Sequence, residues 1–337
     1  MGLLKFSIWC RHSPELLLKV LDDPASQISD KLDALSFVPL LDEKFRETAI
    51  INSLNSNHEK VAVFACEIAS QCMSHTVFKI LRDLSAKSNI ALSLAANDTL
   101  SFLKEEYNER YTQMDNVLFG LNEDHENKVE LIQQMGTDED HALSAWTSTS
   151  RELNDSKRSR IPSLLKMLAE NGHHTPFEKS YIRFLVTSDI ASHIHLLKHR
   201  VGVSINAESA RYKELKDDKY YVPNDWSEGE RMKYIEHMQT CIEKYHETLE
   251  RLVSSGMSRK RAKESARFYL PYGNQIVSDI SFNFRSFMHF QGLRNKPEAQ
   301  IEISQIAKKM LQCVWESGTL KDSLAAFGWT EEKIYEK

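Results

Sequence analysis

Glycine and proline are scarce, 11 and 8 in 337 residues, which disfavours a turn-rich all-β design and favours helix. No apolar run approaches the roughly 18 to 20 residues that a membrane helix needs. The stretch Met1 to Arg11 carries one lysine and is too short for a signal peptide. Phe6 stands where a myristoylation signal wants Ser or Thr. There are only five cysteines, Cys10, Cys66, Cys72, Cys241 and Cys313, with no Cys-x-x-Cys pair. A disulfide framework and a zinc ribbon are therefore excluded. No Gly-x-Gly-x-x-Gly follows a strand, no Walker A loop is present, and His58-Glu59 and His246-Glu247 lack the second histidine of a zinc protease. A net charge of −5 argues against a protein that coats nucleic acid. What remains is ordinary for a globular chain: 41% hydrophobic and 27% charged residues. The length suggests two domains. The expectation is a cytoplasmic protein, in the host cytoplasm if the source is a virus, with no membrane or nucleic-acid partner.

Residues 1 to about 120 read as helical. Val61, Phe64, Ala65, Ile68 and Cys72 form an apolar stripe at helical spacing. No chemical motif lies there, and Cys66 and Cys72 read as buried structural thiols. The polar stretch Leu118 to Asn127 is the expected boundary. Val129, Leu131 and Ile132 open a strand, and Tyr181 to Val186 is a second. Asp189 caps a helix running to about Arg200. Residues 232 to 254 form a helix with Tyr234, Met238, Cys241, Ile242, Tyr245, Leu249 and Leu252 on one face, stopped by Gly256. Further helices are expected over Ser278 to Leu293 and Pro297 to Trp315. The last has Ile303, Ile306, Ala307, Met310 and Val314 inward.

The chemistry concentrates in Lys198-His199-Arg200-Val-Gly-Val-Ser204-Ile-Asn206-Ala-Glu208-Ser209-Ala-Arg211-Tyr212, read as a helix end running into a loop. Cations at a helix C-terminus account for its first three residues. They do not account for Ser204, Asn206, Ser209 and Arg211, closely spaced donors that suit a phosphate and a polar heterocycle. Two segments match it in style. One is Gly172-His173-His174-Thr175-Pro176-Phe177-Glu178. The other is Arg267-Phe-Tyr-Leu-Pro271 followed by Asn283-Phe-Arg285-Ser-Phe-Met-His289-Phe-Gln-Gly-Leu293-Arg294. Arg285 and His289 share a helical face at i, i+4. The cations Lys198, Arg200, Arg267, Arg285 and Arg294 point to an anionic ligand.

Together these motifs resemble the flavin-dependent thymidylate synthases. That family carries Arg-His-Arg followed by Asn-(Glu)-x-Ser-x-Arg-Tyr, His-x-Thr-Pro-Phe-Glu, Arg-x-x-Leu-Pro, Asn-x-Arg-Ser and a late Leu-Arg. Ala145 to Thr149 is similar to its early Ala-Ala-Arg-Val-Ser-Thr element, with Ser148 at the family serine. The resemblance covers about residues 128 to 318. It implies an α+β fold, a twisted sheet with helices over residues 121–337, behind a helical extension at 1–120. It implies a homotetramer that binds FAD and converts dUMP to dTMP, with methylenetetrahydrofolate as carbon donor and NADPH as reductant. By position, Ser148, His173, Thr175, Glu178, His199, Arg200, Asn206, Asn283 and Arg285 would contact FAD. Lys198, Ser209, Arg211, Arg267 and Arg294 would hold dUMP. Arg294 would be the catalytic residue beside the pyrimidine edge.

The departures from the family pattern surround the ligands. Lys198 replaces the first arginine of the run and loses its planar fork. Ala207 stands at a usual glutamate, a contact that Glu208 would supply. His195, His289 and Glu298 replace Gln, Asn and His. They motivate one alternative, a pyrimidine-nucleotide hydroxymethylase on the same scaffold. A second is a non-enzymatic helical interaction protein that has lost its flavin. A metal site at His193, His195 and His199 lacks a further ligand, and no metal is expected.

Overall fold

The computed structural model describes residues 2–72, 74–209, 214 and 218–336. The chain divides into two compact units, residues 1–123 with 224–236, and residues 124–223 with 237–337. No helix of the described residues is long and apolar enough to cross a membrane.

The first unit is helical throughout. In the helix Glu59–Ala69 the stripe Val61, Ala65 and Ile68 is buried, with Phe64 half-buried against the same core. Cys66 and Cys72 are buried beside them. Burial pushes the Cys66 thiol up to about 11, so it is protonated and inert at neutral pH. The helix His75–Ser85 buries Val77, Phe78, Leu81 and Leu84, and Ser74 caps it by accepting from the Val77 N–H. Residues 224–236 join this unit, tied by His75 to Glu236 at 3.4 Å and by an ion pair from Lys79 to Glu228.

The second unit is built on one antiparallel sheet of order β1-β2-β4-β3: β1 Lys128–Met135, β2 Tyr181–Asp189, β3 Val203–Ala207 and β4 Gln275–Phe282. Period-two alternation puts Ile182, Phe184 and Val186 of β2 opposite Phe282, Ile280 and Ser278 of β4, on the face that packs against helices. The opposite face carries Arg183 and Asp279, joined by two bonds of 2.8 and 2.5 Å. A bulge at Ile132 shifts the β1–β2 register. Phe184, Phe282 and Phe287 stack edge-on or tilted in the core at 5.7 to 6.3 Å. Each such buried ring contributes about 2–3 kcal/mol of transfer energy.

The structure corrects four expectations. Residues 278 to 293 are not one helix. β4 runs to Phe282, Asn283 breaks at φ −79° and ψ 161°, and the helix Phe284–Arg294 follows. The alternation Ile280, Ser281, Phe282 favours the pleat. The run after Arg200 is not all loop either, because Val203, Ile205 and Ala207 pair with β4 on the core-facing side. The helix capped by Asp189 ends at Leu196, short of Arg200. The backbone N–H groups of Lys198 and His199 then donate back three residues in tight turns, and Gly202 reverses the chain at φ +63°. The late helix spans Ile301–Ser317, starting past Pro297, with all five inward residues buried.

Candidate active site

The helix Phe284–Arg294 is the main support of the site. Its N-cap, Asn283, accepts from the Ser286 N–H at 2.8 Å. Asn283 N–H in turn donates to the Gly202 carbonyl at 3.1 Å. A Cβ on Gly202 would lie 2.4 Å from both Asn283 Nδ2 and Ser286 Oγ. Glycine is thus required where the Lys198–Arg200 turn meets this helix.

Arg285, His289, Gly292 and Leu293 follow at i, i+4, i+7 and i+8, and line a cavity of about 590 Å3 together with His174, Val201 and Phe327. Arg285 Nη1 meets Glu178 Oε1 at 2.5 Å. This bond joins two of the expected flavin contacts. At the other end of the helix, Arg294 Nε donates to His199 Nε2 at 3.2 Å. His199 is buried, edge-on to Phe290 at 5.0 Å. Burial first, then the adjacent Arg294 guanidinium, pushes its pKa down to about 4. The ring is therefore neutral at pH 7 and accepts from Arg294 without repelling it.

The other expected residues make separate contacts. Lys198 and Arg200 are exposed, as are His173, Thr175, Ser148 and Asn206. Among the described residues, Lys198 and Arg200 form no ion pair with a carboxylate. Asn206 sits on the sheet face away from the core, opposite Asp279. The Ser148 hydroxyl donates to the Ala145 carbonyl at 3.0 Å. Arg267 opens an exposed 3-10 turn, its guanidinium 6.0 Å from the Phe268 ring. Ser209 lies half-buried just beyond β3. Glu208 also acts structurally, because its Oε2 accepts from the Val277 N–H at 3.0 Å. Arg211 lies outside the described residues. The three histidines weighed as a metal site have separate partners: Ser278 for His193, Gln300 for His195 and Arg294 for His199.

Sequence reasoning places His173 at the site, but its neighbour His174 lines the cavity, packed against Phe327 at 5.3 Å. Sequence reasoning misses Val201, Met288 and Phe327 as lining. The i, i+4 spacing of Arg285 and His289 is the signal for the helix face. Phe327 has none, since it comes from a segment remote in sequence.

The sequence profile of the thymidylate synthase complementing protein family matches residues 130–317. The chain belongs to the flavin-dependent thymidylate synthase family. It is 30% identical over 210 residues to the flavin-dependent thymidylate synthase of Streptomyces avermitilis, covering 54% of this chain and 83% of that one. It is 31% identical over 196 residues to that of Kosmotoga olearia, covering 53% and 81%. Its fold is also similar to a UMP/dUMP methylase, PolB from Streptomyces cacaoi, solved with 5-Br dUMP. That likeness has a TM-score of 0.52 at 28% identity, over 60% of this chain and 95% of that one. The matched segment contains the antiparallel sheet of the second unit.

Proposed function

We propose that this chain methylates C5 of dUMP to give dTMP, with methylenetetrahydrofolate as carbon donor, NADPH as reductant and FAD as cofactor. The observation that carries the reading is the neutral His199 ring seated on Arg294, within the segment matched to the family. The hydrogen bond fixes the guanidinium through Nε and leaves both of its NH2 groups for a ligand. Aimed at the N3/O2 edge of uracil, a fixed cation stabilises negative charge on the ring and makes C5 a nucleophile. C5 then gains the one-carbon unit and loses its proton.

The donor set fits FAD. Arg200 is an exposed cation without a carboxylate partner among the described residues, and His173 and Thr175 add exposed donors suited to a pyrophosphate. Arg285 with Glu178, and Ser148, Asn206 and Asn283, complete the proposed flavin contacts. When bound, FAD supplies the hydride and electron transfer. Lys198, Ser209, Arg211 and Arg267 would grip dUMP beside Arg294. The family resemblance implies that this site is shared between copies of a homotetramer. No thiol is called on, in keeping with burial raising the pKa of Cys66, Cys72 and Cys313.

The test is product analysis with dUMP, methylenetetrahydrofolate and NADPH on protein that carries flavin absorbance, with UMP and dCMP as competing acceptors. A dTMP mass supports the reading. A hydroxymethyl product, a different acceptor, or colourless protein that takes up no FAD refutes it.

A further inference from the structure

A second cavity, of about 520 Å3, shares no lining residue with the first. It lies between residues 295–299, the start of the helix Ile301–Ser317 and the segment ending at Glu336. Three ammonium groups line it, from Lys296, Lys308 and Lys333. None is paired with a carboxylate among the described residues. Lys308 Nζ donates to the Glu336 main-chain carbonyl, and Lys333 Nζ to the Gly328 carbonyl at 3.1 Å. Those bonds occupy protons but cancel no charge. Glu336 is the one carboxylate in the described lining, so positive charge is in excess. Trp329 forms a wall, half-buried against the core.

Like charges gathered on one concavity repel each other, and an anion between them relieves that repulsion. Ammonium groups are compact charges that suit phosphate. A half-buried indole that lines a cavity offers ring surface on which a flat base can stack. The volume falls in the range of about 300–1,000 Å3 usual for small-molecule sites. We propose that this cavity binds a nucleoside polyphosphate, with its phosphates on Lys296, Lys308 and Lys333 and its base against Trp329.

The test is calorimetric titration of the full chain with ATP and, separately, with tripolyphosphate, at low salt. Excess dUMP at about 1 mM keeps the other anion site filled. ATP is expected to bind with Kd of about 10–100 μM. Lys296→Gln with Lys333→Gln should weaken both probes at least about tenfold. Trp329→Leu, which keeps apolar packing, should weaken ATP and leave tripolyphosphate unchanged. Unchanged ATP affinity in the double lysine variant, or no ATP binding at about 1 mM, overturns the proposal. Equal loss of both probes in Trp329→Leu refutes the stacking of the base.

Discussion

Replacing Gly202 with alanine tests how the Lys198–Arg200 turn is fastened to the helix bearing Arg294. Two costs add. A non-glycine residue at φ +63° pays about 1–2 kcal/mol for the left-handed conformation. The new Cβ would also sit 2.4 Å from Asn283 Nδ2 and Ser286 Oγ, inside any real contact distance. Asn283 must then yield, and losing an N-cap costs about 1 kcal/mol. The expected total is about 2–3 kcal/mol, or about 5–10 °C in Tm for a unit of this size. Gly172 supplies the control. It has φ +72° with nothing within 4 Å of an added Cβ, so Gly172→Ala should show the backbone cost alone. Thermal unfolding followed by circular dichroism measures both. The steric part of the reasoning is refuted if the two variants lose the same Tm. Gly202→Ala should also reduce turnover more than Gly172→Ala, because the displaced helix carries Arg285 and Arg294.

Arg294→Ala should retain FAD and assembly but lose about 10²–10³-fold in dTMP formation, read from initial rates; normal rates would remove Arg294 from the mechanism. His141 is fully buried beside Phe177 and Phe284, its Nδ1–H on Ser323 Oγ at 2.9 Å, and burial holds its pKa down to about 4 against an ordinary 6.5. Between those values the unfolded chain binds the extra proton, so stability is complete above about pH 6.5 and falls as pH drops toward 4, by up to about 3 kcal/mol. His141→Gln should flatten this acid limb in urea denaturation at pH 7 and 4.5, and an unchanged limb would contradict the assignment. Asp279→Asn removes the paired bonds to Arg183 on a face about one-third exposed. Denaturant unfolding should show little or no change in midpoint, as for an exposed ion pair.

The sequence is most legible where a pattern has only one physical reading. The stripe Val61, Ala65, Ile68 and the inward row Ile303, Ile306, Ala307, Met310, Val314 both bury as helical spacing requires. β4 escapes such a reading because Ser278, Asp279 and Ser281 dilute its apolar residues. The short alternation Ile280, Ser281, Phe282 favours its pleat, but pairing with β2 and β3, a long-range fact, fixes it. The same holds for β3, an edge strand of five residues that reads locally as loop. The site follows a similar division. Motifs bring His199, Arg200, Glu178, Arg285 and Arg294 into view, but not the pairs they make. His199 meets Arg294 across 95 residues, and Glu178 meets Arg285 across 107.

Those two pairs also separate the expected cations into different kinds. Arg285 and Arg294 are held by groups of their own chain, one by a carboxylate and one by a neutral ring. The carboxylate cancels charge at Arg285, so that side chain is suited to orientation. The neutral imidazole leaves the full charge on Arg294, so that side chain is suited to stabilising an anion. Lys198, Arg200 and Arg267 are held by no carboxylate among the described residues and stand exposed. An exposed cation at such a position contributes little to folding. Its place in the motif is better explained by a ligand or a neighbouring copy that meets it. Lys198→Gln should therefore leave Tm unchanged while raising the KM for dUMP, a split that a purely structural lysine would not produce.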